Sequence, residues 1–351
     1  MEYRFDQIAY NSTEKKQPED LDRAHYIGLE HLNSGSFEVT RWGSDVTPTG
    51  EKLVMRKGDV LFGKRRAYQR KVGIAPFDGI FSAHGMVLRP KENIIDKDFF
   101  PFFIASDQFM ERAVRISVGG LSPTINWKDL KEQVFEVPTI KEQKELADKL
   151  WAAYRLKESY KDLLVTTDEM VKSRFIEMFS SRQLPLKHLP DLSENLDKKR
   201  VPITSGDRKS GKYPYYGASG IVDYVNDYIF DETLLLISED GANLKDRVTP
   251  IAFQASGKFW VNNHAHVLRF DSSAMMLYIE YLINGMDIEK YLTGMAQPKL
   301  NQKELNAIPI PVPSDSELQR FQTLIIQADK SKFELKQAIE KIDKVMRALI
   351  Q

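Results

Sequence analysis

The stretch Pro123-Thr-Ile-Asn-Trp-Lys-Asp-Leu130 returns later in the chain as Pro298-Lys-Leu-Asn-Gln-Lys-Glu-Leu305. The same shift of 175 positions relates Val137-Pro138 to Val312-Pro313, and no gap is needed to bring them into register. A repeat is the first feature to establish in a sequence, because overlooking one misreads the whole fold. A period this long exceeds any solenoid unit and predicts a duplicated domain whose two copies end in the same element.

Each copy is predicted to end in a long helix that begins with a capping box. Thr139 and Ser314 follow a proline, and each precedes a glutamate, Glu142 or Glu317, by three positions. The Ser/Thr-x-x-Glu pattern satisfies free backbone donors at a helix start reciprocally. We expect each helix to span roughly 35–40 residues, which corresponds to about 55 Å at about 1.5 Å per residue.

After each cap, seam residues recur at alternating steps of three and four, the spacing of a coiled coil. Because the seams of the two helices match, we expect the helices to pack on each other in an antiparallel orientation. The alternative is that each helix packs only on its own globular domain. The lysine at the same seam position of both helices has two interpretations: it sets the register, or its stem lines the seam edge while its ammonium stays in water. The predicted seam residues are Leu150, Lys157, Leu164, Val171, Ile325, Lys332, Ile339 and Met346.

The length of 351 residues accommodates two domains of about 120 residues and two such helices. We therefore predict an α+β fold with mixed α/β domains at 1–138 and 181–313, spacer helices at 139–180 and 314–351, and a pseudo-twofold arrangement. The chain has no cysteine, which excludes disulfides and thiolate chemistry. It shows no signal peptide and no apolar run of about 18 residues, so we expect a cytoplasmic protein without membrane contact.

The 50 basic and 50 acidic residues cancel, so any nucleic-acid surface has to be local. Lys64-Arg-Arg-Ala-Tyr-Gln-Arg-Lys71 holds five basic residues in eight, and the stretch from Glu51 to Lys91 has ten basic residues against three acidic ones. Such a concentration supplies phosphate contacts, and arginines can also read guanine edges. The alternative is a strand edge kept charged to prevent aggregation.

The second copy combines basic and aromatic residues in loops, among them Lys212 and Tyr215. This pattern suits a nucleic-acid surface and equally a tyrosine-rich strand with solvated lysines. The run Asn262-Asn-His-Ala-His266 contains a His-x-His pair, but a catalytic zinc site usually has three protein ligands. We therefore favour a hydrogen-bonded or DNA-facing role for these histidines and predict no metal site.

Two motifs could suggest a catalytic site, but each lacks a residue that the chemistry requires. Gly58-Asp-Val-Leu-Phe-Gly-Lys64 begins like a phosphate-binding loop, but Arg65 stands where a Ser or Thr would bind magnesium, and the interior is apolar like a strand. Glu239, Asp240 and Lys245 resemble a nuclease cluster, but no second carboxylate has a defined spacing, and acidic turn residues explain them. We find no methyltransferase motif, and we predict that the chain is not an enzyme.

Several segments together resemble one family. They are Tyr26-Ile-Gly-Leu-Glu-His31, Lys57–Lys64, Phe81-Ser-Ala-His84, Tyr213–Gly220, Val261–Arg269 and the repeated Asn/Val-Pro/Glu frame. With them, nearly the whole chain resembles the specificity subunit of a type I restriction-modification system. The resemblance implies two target recognition domains, each reading half of a split double-stranded DNA site, and an antiparallel coiled coil between them. It also implies two modification subunits that carry S-adenosylmethionine and methylate adenines, and a restriction subunit with ATP and magnesium where one is present.

This chain itself would then bind no cofactor. The alternatives are a non-catalytic protein-binding scaffold with two heads on a coiled-coil spacer, and an unrecognised nuclease or fused methyltransferase. The candidate DNA-binding residues are Lys64, Arg65, Arg66, Tyr68, Arg70, Lys71, His84, Lys212, Tyr215, Lys245, Arg247, Asn262, Asn263, His264 and Lys299.

Overall fold

The computed structural model describes residues 1–180, 183–294 and 297–350. The chain forms two compact units: unit 1 comprises Met1–Leu163 and the chain from Leu335 onward, and unit 2 comprises Leu164–Glu334. Among the described residues, no helix combines the length and the apolar character that crossing a bilayer requires. The predicted start of the second domain at 181 lies outside the described residues, and the four predicted domain limits stay predictions.

Short strands and helices precede one long helix in the first half of the chain. The strands are β1 Glu2–Arg4, β2 Ala9–Ser12, β3 Lys15–Lys16, β4 Tyr26–Ile27, β5 Lys52–Met55, β6 Val60–Phe62, β7 Val72–Ile74, β8 Gly79–Phe81, β9 Met86–Pro90 and β10 Val134–Glu136. The helices are α1 Phe5–Ile8, α2 Phe100–Ala105, α3 Asp107–Arg115, α4 Trp127–Leu130 and α5 Ile140–Phe179. Three 3₁₀ turns lie at Asp20–His25, Leu29–His31 and Ala67–Gln69.

The second half repeats this plan. Its strands are β11 Leu186–Lys187, β12 Glu194–Asn195, β13 Ser210–Gly217, β14 Gly220–Val225, β15 Phe230–Asp231, β16 Leu234–Ser238, β17 Ala252–Ala255, β18 Lys258–Val261, β19 Ala265–Arg269 and β20 Ile310–Pro311. The helices are α6 Asn243–Asp246, α7 Ser273–Gly285, α8 Gln302–Ala307 and α9 Asp315–Ile350. Short 3₁₀ turns lie at Leu189–Asp191, Asp197–Lys199 and Glu289–Tyr291.

Each unit contains the same set of sheets, which confirms the predicted α+β class and the duplication. Unit 1 has four-stranded sheets in the orders β2-β9-β6-β7 and β3-β5-β8-β4, and a two-stranded sheet β1-β10. Unit 2 has the orders β12-β19-β16-β17, β14-β13-β18-β15 and β11-β20. In both units the central pair of the first sheet is antiparallel, with Leu61 opposite Val87 and Leu236 opposite Val267. Strand β6 is entirely apolar and β16 is apolar except for Ser238, and every residue of both strands is buried, as expected when both faces of a sheet are covered.

The capping boxes begin the long helices as predicted. The backbone N–H of Thr139 donates to Glu142 Oε2 at 2.8 Å, and that of Ser314 donates to Glu317 Oε2 at 3.0 Å. Ser314 Oγ also donates to the same carboxylate at 2.8 Å. The contacts explain why helix α5 starts at Ile140 and helix α9 at Asp315.

Within unit 2 the long helices contact each other and run antiparallel. Asp168 of α5 meets Lys332 of α9, and further along α5 the ring of Phe175 lies 5.4 Å from the ring of Phe321. In unit 1, Lys157 of α5 meets Asp343 of α9 at 3.0 Å. Every predicted seam residue is buried or partly buried, as Leu150, Lys157, Val171, Ile325 and Met346 show most clearly.

The same helices also pack on the globular parts, so the two packing alternatives both occur. Leu150 and Met346 belong to the main core of unit 1, which includes Phe102 and Phe109. Val171, Ile325 and Phe321 belong to the main core of unit 2. The long helices are therefore fixed to the globular part of each unit by the burial of apolar side chains, which is the dominant stabilising contribution in folding.

Two features of the helices are not evident from sequence periodicity. Between Asp98 and Met110 the chain forms two helices and not one, because Ser106 takes an extended conformation and caps α3 through a hydrogen bond from the Phe109 N–H. Helix α7, Ser273–Gly285, was not expected from the sequence. Its residues are apolar on several sides, so no clean amphipathic period marks it.

Candidate nucleic-acid interface

The basic stretch of unit 1 forms a turn at the end of buried strand β6. Residues Arg66 and Arg70 have φ angles of 56° and 52°, in the left-handed region that non-glycine residues rarely adopt. They bracket the 3₁₀ turn Ala67–Gln69, and Ala67 is buried and anchors it. The tight turn leaves the side chains of Arg65, Arg66 and Tyr68 exposed to solvent.

A second loop lies against this turn. The backbones of Val118 and Thr124 exchange hydrogen bonds of 3.0 and 2.9 Å, which close the loop 118–124. The Arg66 N–H donates to the carbonyl of Pro123 at 2.7 Å, and the N–H of Ile125 donates to the carbonyl of Lys64 at 3.0 Å. We refer to Lys64, Arg65, Arg66, His84 and the loop 118–124 as the first basic surface.

Positive charges on this surface stand close enough to perturb one another. Burial lowers the pKa of His84, and the nearby cations Arg65, Lys64 and Lys52 lower it further. Burial likewise lowers the pKa of Lys64, with a smaller contribution from Lys15. Among residues 1–180, 183–294 and 297–350, neither Lys64 nor Arg65 nor Arg66 makes a salt bridge. The surface therefore carries a concentration of uncompensated positive charge.

Two predicted DNA contacts of the basic stretch form hydrogen bonds or ion pairs within unit 1. The guanidinium of Arg70 donates to the carbonyl of Ala105, at the end of helix α2, at 3.2 Å, and it also pairs with Asp107. The ammonium of Lys71 donates to the carbonyl of Leu29 at 2.7 Å. Since these groups already have acceptors within unit 1, we do not include them in the first basic surface.

Unit 2 repeats the backbone frame of this surface with a shift of 175 residues. The Gly241 N–H donates to the carbonyl of Pro298 at 3.1 Å, and the N–H of Leu300 donates to the carbonyl of Glu239 at 2.7 Å. The bridge between Arg65 and Thr124 recurs between Asp240 and Lys299. The same pattern of backbone hydrogen bonds thus presents different side chains in the two units.

The charges at these equivalent positions are reversed. Glu239 and Asp240 occupy the places that Lys64 and Arg65 hold in unit 1. The carboxylate of Glu239 forms ion pairs with Arg200, at 2.7 Å, and with Lys299, at 3.2 Å. Lys299, a predicted DNA contact, therefore lies beside a carboxylate.

A buried network supports this acidic site. His266 is 1% exposed; its Nδ1 lies 2.6 Å from Asp197 Oδ2, and its Nε2 lies 2.8 Å from the carbonyl of Leu300. Burial, the largest single influence, would raise the pKa of Asp197, but the hydrogen bond and charge of His266, the Val267 N–H and the charge of Arg200 together outweigh it, and the pKa lies below the ordinary value. The pKa of Glu239 is lowered in the same way, because Arg200 and its other cationic neighbours outweigh burial.

Asp197, Glu239 and His266 bring possible metal-ligand atoms within 4.8 Å of one another. A metal ion is not required to neutralise them. The guanidinium of Arg200 lies 3.4 Å from Asp197 and 2.7 Å from Glu239, and the ammonium of Lys299 lies 3.2 Å from Glu239, so two cations face the two carboxylates. The Nε2 of His266 must donate to the Leu300 carbonyl, because a carbonyl can only accept. The cluster is a hydrogen-bonded network that ties β16, β19 and residue 300 together.

The remaining predicted residues of unit 2 divide into exposed and structural groups. Lys212, Lys245, Asn263 and His264 are exposed, and the His264 ring lies 2.9 Å from the Asp240 carboxylate.

The structural group contains Tyr215, Arg247 and Asn262. Tyr215 is 1% exposed and its hydroxyl accepts the Ile203 N–H at 2.9 Å, so its side chain is part of the interior and is not retained as a DNA contact. Arg247 donates to the carbonyls of Ile283 and Met286 at the end of α7, as Arg70 does at α2. Asn262 is buried and accepts the N–H of His264 at 2.8 Å.

Sequence reasoning did not single out two features of these surfaces. The loop 118–124 contains no charged residue, and the partners of His266 are scattered along the sequence. The shift of 175 was a usable signal for the loop, because it aligns Lys64 with Glu239 and Thr124 with Lys299.

Comparisons with known proteins agree with this architecture. The chain shares 33% identity over 140 residues with an inferred type I restriction enzyme specificity subunit of Haemophilus influenzae, covering 40% of this chain and 36% of that protein. It shares 29% identity over 145 residues with the type I restriction enzyme EcoDI specificity subunit of Escherichia coli, covering 41% and 32%. The matches thus span about a third of the length of these curated relatives.

Two solved structures share the fold over the whole chain. One is a chain from work on complex assembly and conformational transition of the type I R-M system, with a TM-score of 0.61 and 14% identity, covering 100% of this chain and 96% of that one. The other is the S subunit of the M. genitalium type I restriction-modification system, with a TM-score of 0.56, 16% identity and the same coverages.

The family model described as "Type I restriction modification DNA specificity domain" matches this chain twice, at residues 8–164 and 186–343. The two matches correspond to the two copies of the repeat and together cover most of the sequence. The chain therefore belongs to the family of type I restriction modification DNA specificity domains.

Proposed function

We propose that this chain is the DNA-specificity subunit of a type I restriction-modification complex. In this role it reads a bipartite double-stranded DNA target, one half with each unit, and catalyses no reaction itself. The observation that carries the proposal is the first basic surface, where Lys64, Arg65 and Arg66 stand together without a carboxylate partner among the described residues. A surface of this kind gains binding free energy by displacing counterions from DNA phosphates.

The two units differ in a way that suits the reading of an asymmetric site. Their backbone frames match, whereas Lys64 and Arg65 of unit 1 correspond to Glu239 and Asp240 of unit 2. Carboxylates can accept hydrogen bonds from cytosine amino groups, and arginines can bind guanine edges. Diverged side chains on a common frame would therefore read different bases in the two half-sites.

We further propose that the long helices recruit two modification subunits, which carry S-adenosylmethionine and methylate adenines, and a restriction subunit with ATP and magnesium where one is present. Support comes from apolar side chains left in solvent on these helices. Ile326 and Phe333, one heptad apart on α9, are each 61% exposed, and Met170 on α5 is also exposed. An exposed apolar series on a helix suits a partner helix.

The proposal is tested by assembling modification subunits with and without this chain and mapping methylated adenines on genomic DNA by long-read sequencing. We expect methylation at a single split motif that depends on the chain. A methylation pattern that is the same without the chain would overturn the proposal. Binding of partner proteins without any effect on DNA modification would instead favour a protein-binding scaffold.

A further inference from the structure

The loop 118–124 presents one apolar side chain almost entirely to solvent. Leu121 is 96% exposed, and its neighbours in sequence are Gly120 and Ser122. Single exposed leucines are common on protein surfaces, so exposure alone assigns no role. The position of this leucine relative to the surrounding cations is the informative observation.

The loop is held in place against the basic turn. Two backbone hydrogen bonds between Val118 and Thr124 close it, and Gly119 takes a φ of +112°, which a glycine adopts without strain. Arg66 binds the loop twice: its N–H donates to the Pro123 carbonyl at 2.7 Å, and its Nε donates to Ser122 Oγ at 3.3 Å. Leu121 is therefore adjacent in sequence to a residue that Arg66 holds directly.

We propose that Leu121 is a specificity-determining residue of unit 1, which places its apolar side chain against a base in a DNA groove while Arg65 and Arg66 contact the flanking phosphates. The inference rests on the proposed DNA-binding function and extends it. A groove offers anionic walls and a floor with apolar positions, chiefly the thymine methyl group. An apolar tip bordered by cations is complementary to that arrangement.

A protein partner is a poorer fit to the same surface. Of the loop residues, only Leu121 and Val118 are large exposed apolar side chains, and the neighbouring turn carries Arg65 and Arg66. Protein interfaces rely on a larger apolar core with few charges at its centre. Leu121 corresponds to Ala296 in the second copy, which lies outside the described residues; the residue at this position thus differs between the copies, as expected of elements that read different bases.

The experiment uses the full chain co-expressed with its modification subunits. Duplexes that bind wild type, Leu121→Ala, Leu121→Ser and Leu121→Met are selected from a random library and sequenced. We expect the alanine and serine variants to lose preference at one or two adjacent positions of one half-site, and the methionine variant to retain it. The ratio of specific to non-specific affinity should fall about tenfold, the scale of one base contact.

A matched comparison separates base reading from phosphate binding. Arg66→Ala should weaken binding to all duplexes and reduce its salt dependence, while Leu121→Ala should leave the salt dependence unchanged. Deoxyuridine, which lacks the thymine methyl group, is then substituted at the affected position of the selected duplex. A loss of wild-type affinity supports a methyl contact, and retained affinity supports contact with the base step itself; this arm needs no protein variant and so is independent of folding.

Two results would overturn the inference, and they are distinguishable. If wild type selects a motif and the alanine and serine variants select the identical motif with the same affinity ratio, Leu121 does not read DNA. If wild type enriches no duplex at all, the proposed function fails and the inference fails with it.

Discussion

Lys157 of helix α5 and Asp343 of helix α9 form an ion pair in unit 1, with Nζ and Oδ1 3.0 Å apart. The same pair occurs in unit 2 with the helices exchanged: Lys332 of α9 contacts Asp168 of α5, also at 3.0 Å. Both partners are related by the shift of 175 residues. The seam lysines therefore form specific contacts between the helices, which favours the register-setting interpretation over simple placement at the seam edge.

The two ion pairs are expected to differ in their contribution to stability. Lys157 is 6% exposed and also donates to the Gly35 carbonyl at 3.1 Å, whereas Asp168 is 58% exposed. Lys157→Met should lower the free energy of unfolding by about 1–3 kcal/mol, since it leaves a carbonyl and a carboxylate without their donor. Lys332→Met should cost about 0–1 kcal/mol, the usual range for an exposed pair. Urea denaturation measures both, and equal losses would contradict the assignment.

Neighbouring isoleucines on α9 separate the fold from partner binding. Ile325 is 4% exposed in the core of unit 2, and Ile326 is 61% exposed. Ile325→Asp should destabilise unit 2 by about 3–5 kcal/mol, because it removes a core side chain and buries a charge. Ile326→Asp should leave the melting temperature within a few degrees of wild type.

The same exposed position tests the proposed docking of modification subunits. Ile326→Asp, alone and combined with Phe333→Asp, should reduce co-purification with the modification subunits at least tenfold, because a charge replaces apolar contact area. Circular dichroism confirms that the fold is retained. Undiminished co-purification of the double variant would show that the partners bind elsewhere.

The network around His266 predicts a particular dependence of stability on pH. The folded-state pKa of Asp197 is lowered, so its contribution is present above the unfolded pKa of about 3.9 and is lost as pH falls through the folded value. Asp197→Asn should therefore cost about 3–5 kcal/mol near neutral pH, the scale for breaking a buried pair, and progressively less in acid.

Unfolding by urea at neutral pH and at successively lower pH values provides the test of this network. Asp271→Asn, at an exposed position of the same unit, is the matched control and should change little at any pH. A loss for Asp197→Asn that stays constant as the solution is acidified would mean that the carboxylate is not stabilised by His266 and its other partners.

Much of the fold was readable from local patterns. Thr139 and Ser314 mark helix starts because the glutamate three residues later accepts the backbone N–H of each, and the seam follows from a fixed period. Helix α7 escaped prediction because its buried residues, such as Ala274, Tyr278 and Ile283, cover more than one face. Periodicity locates a helix only when one side differs from the other.

The candidate DNA-binding residues were less predictable, because the charge and type of a residue do not reveal whether its side chain faces solvent or forms hydrogen bonds within the fold. Arg70 and Arg247 look like candidates for phosphate contacts, yet each binds the carbonyls at the end of a helix. Tyr215 lies between the partly exposed Tyr213 and Tyr216 but is itself buried. The partners of His266 come from separate elements, so only tertiary structure brings Asp197 within 2.6 Å of it.

The central claim is that the first basic surface binds DNA phosphates. Its most direct test is the affinity of the full chain, assembled with its modification subunits, for duplex DNA as a function of salt concentration. Wild type is compared with the double variant Arg65→Ala/Arg66→Ala and with Lys97→Ala, an exposed lysine of the same unit. We predict that the slope of log affinity against log salt becomes shallower by about two in the double variant, one for each lost phosphate contact, and is unchanged in the control. Identical slopes and affinities for wild type and the double variant would contradict the claim.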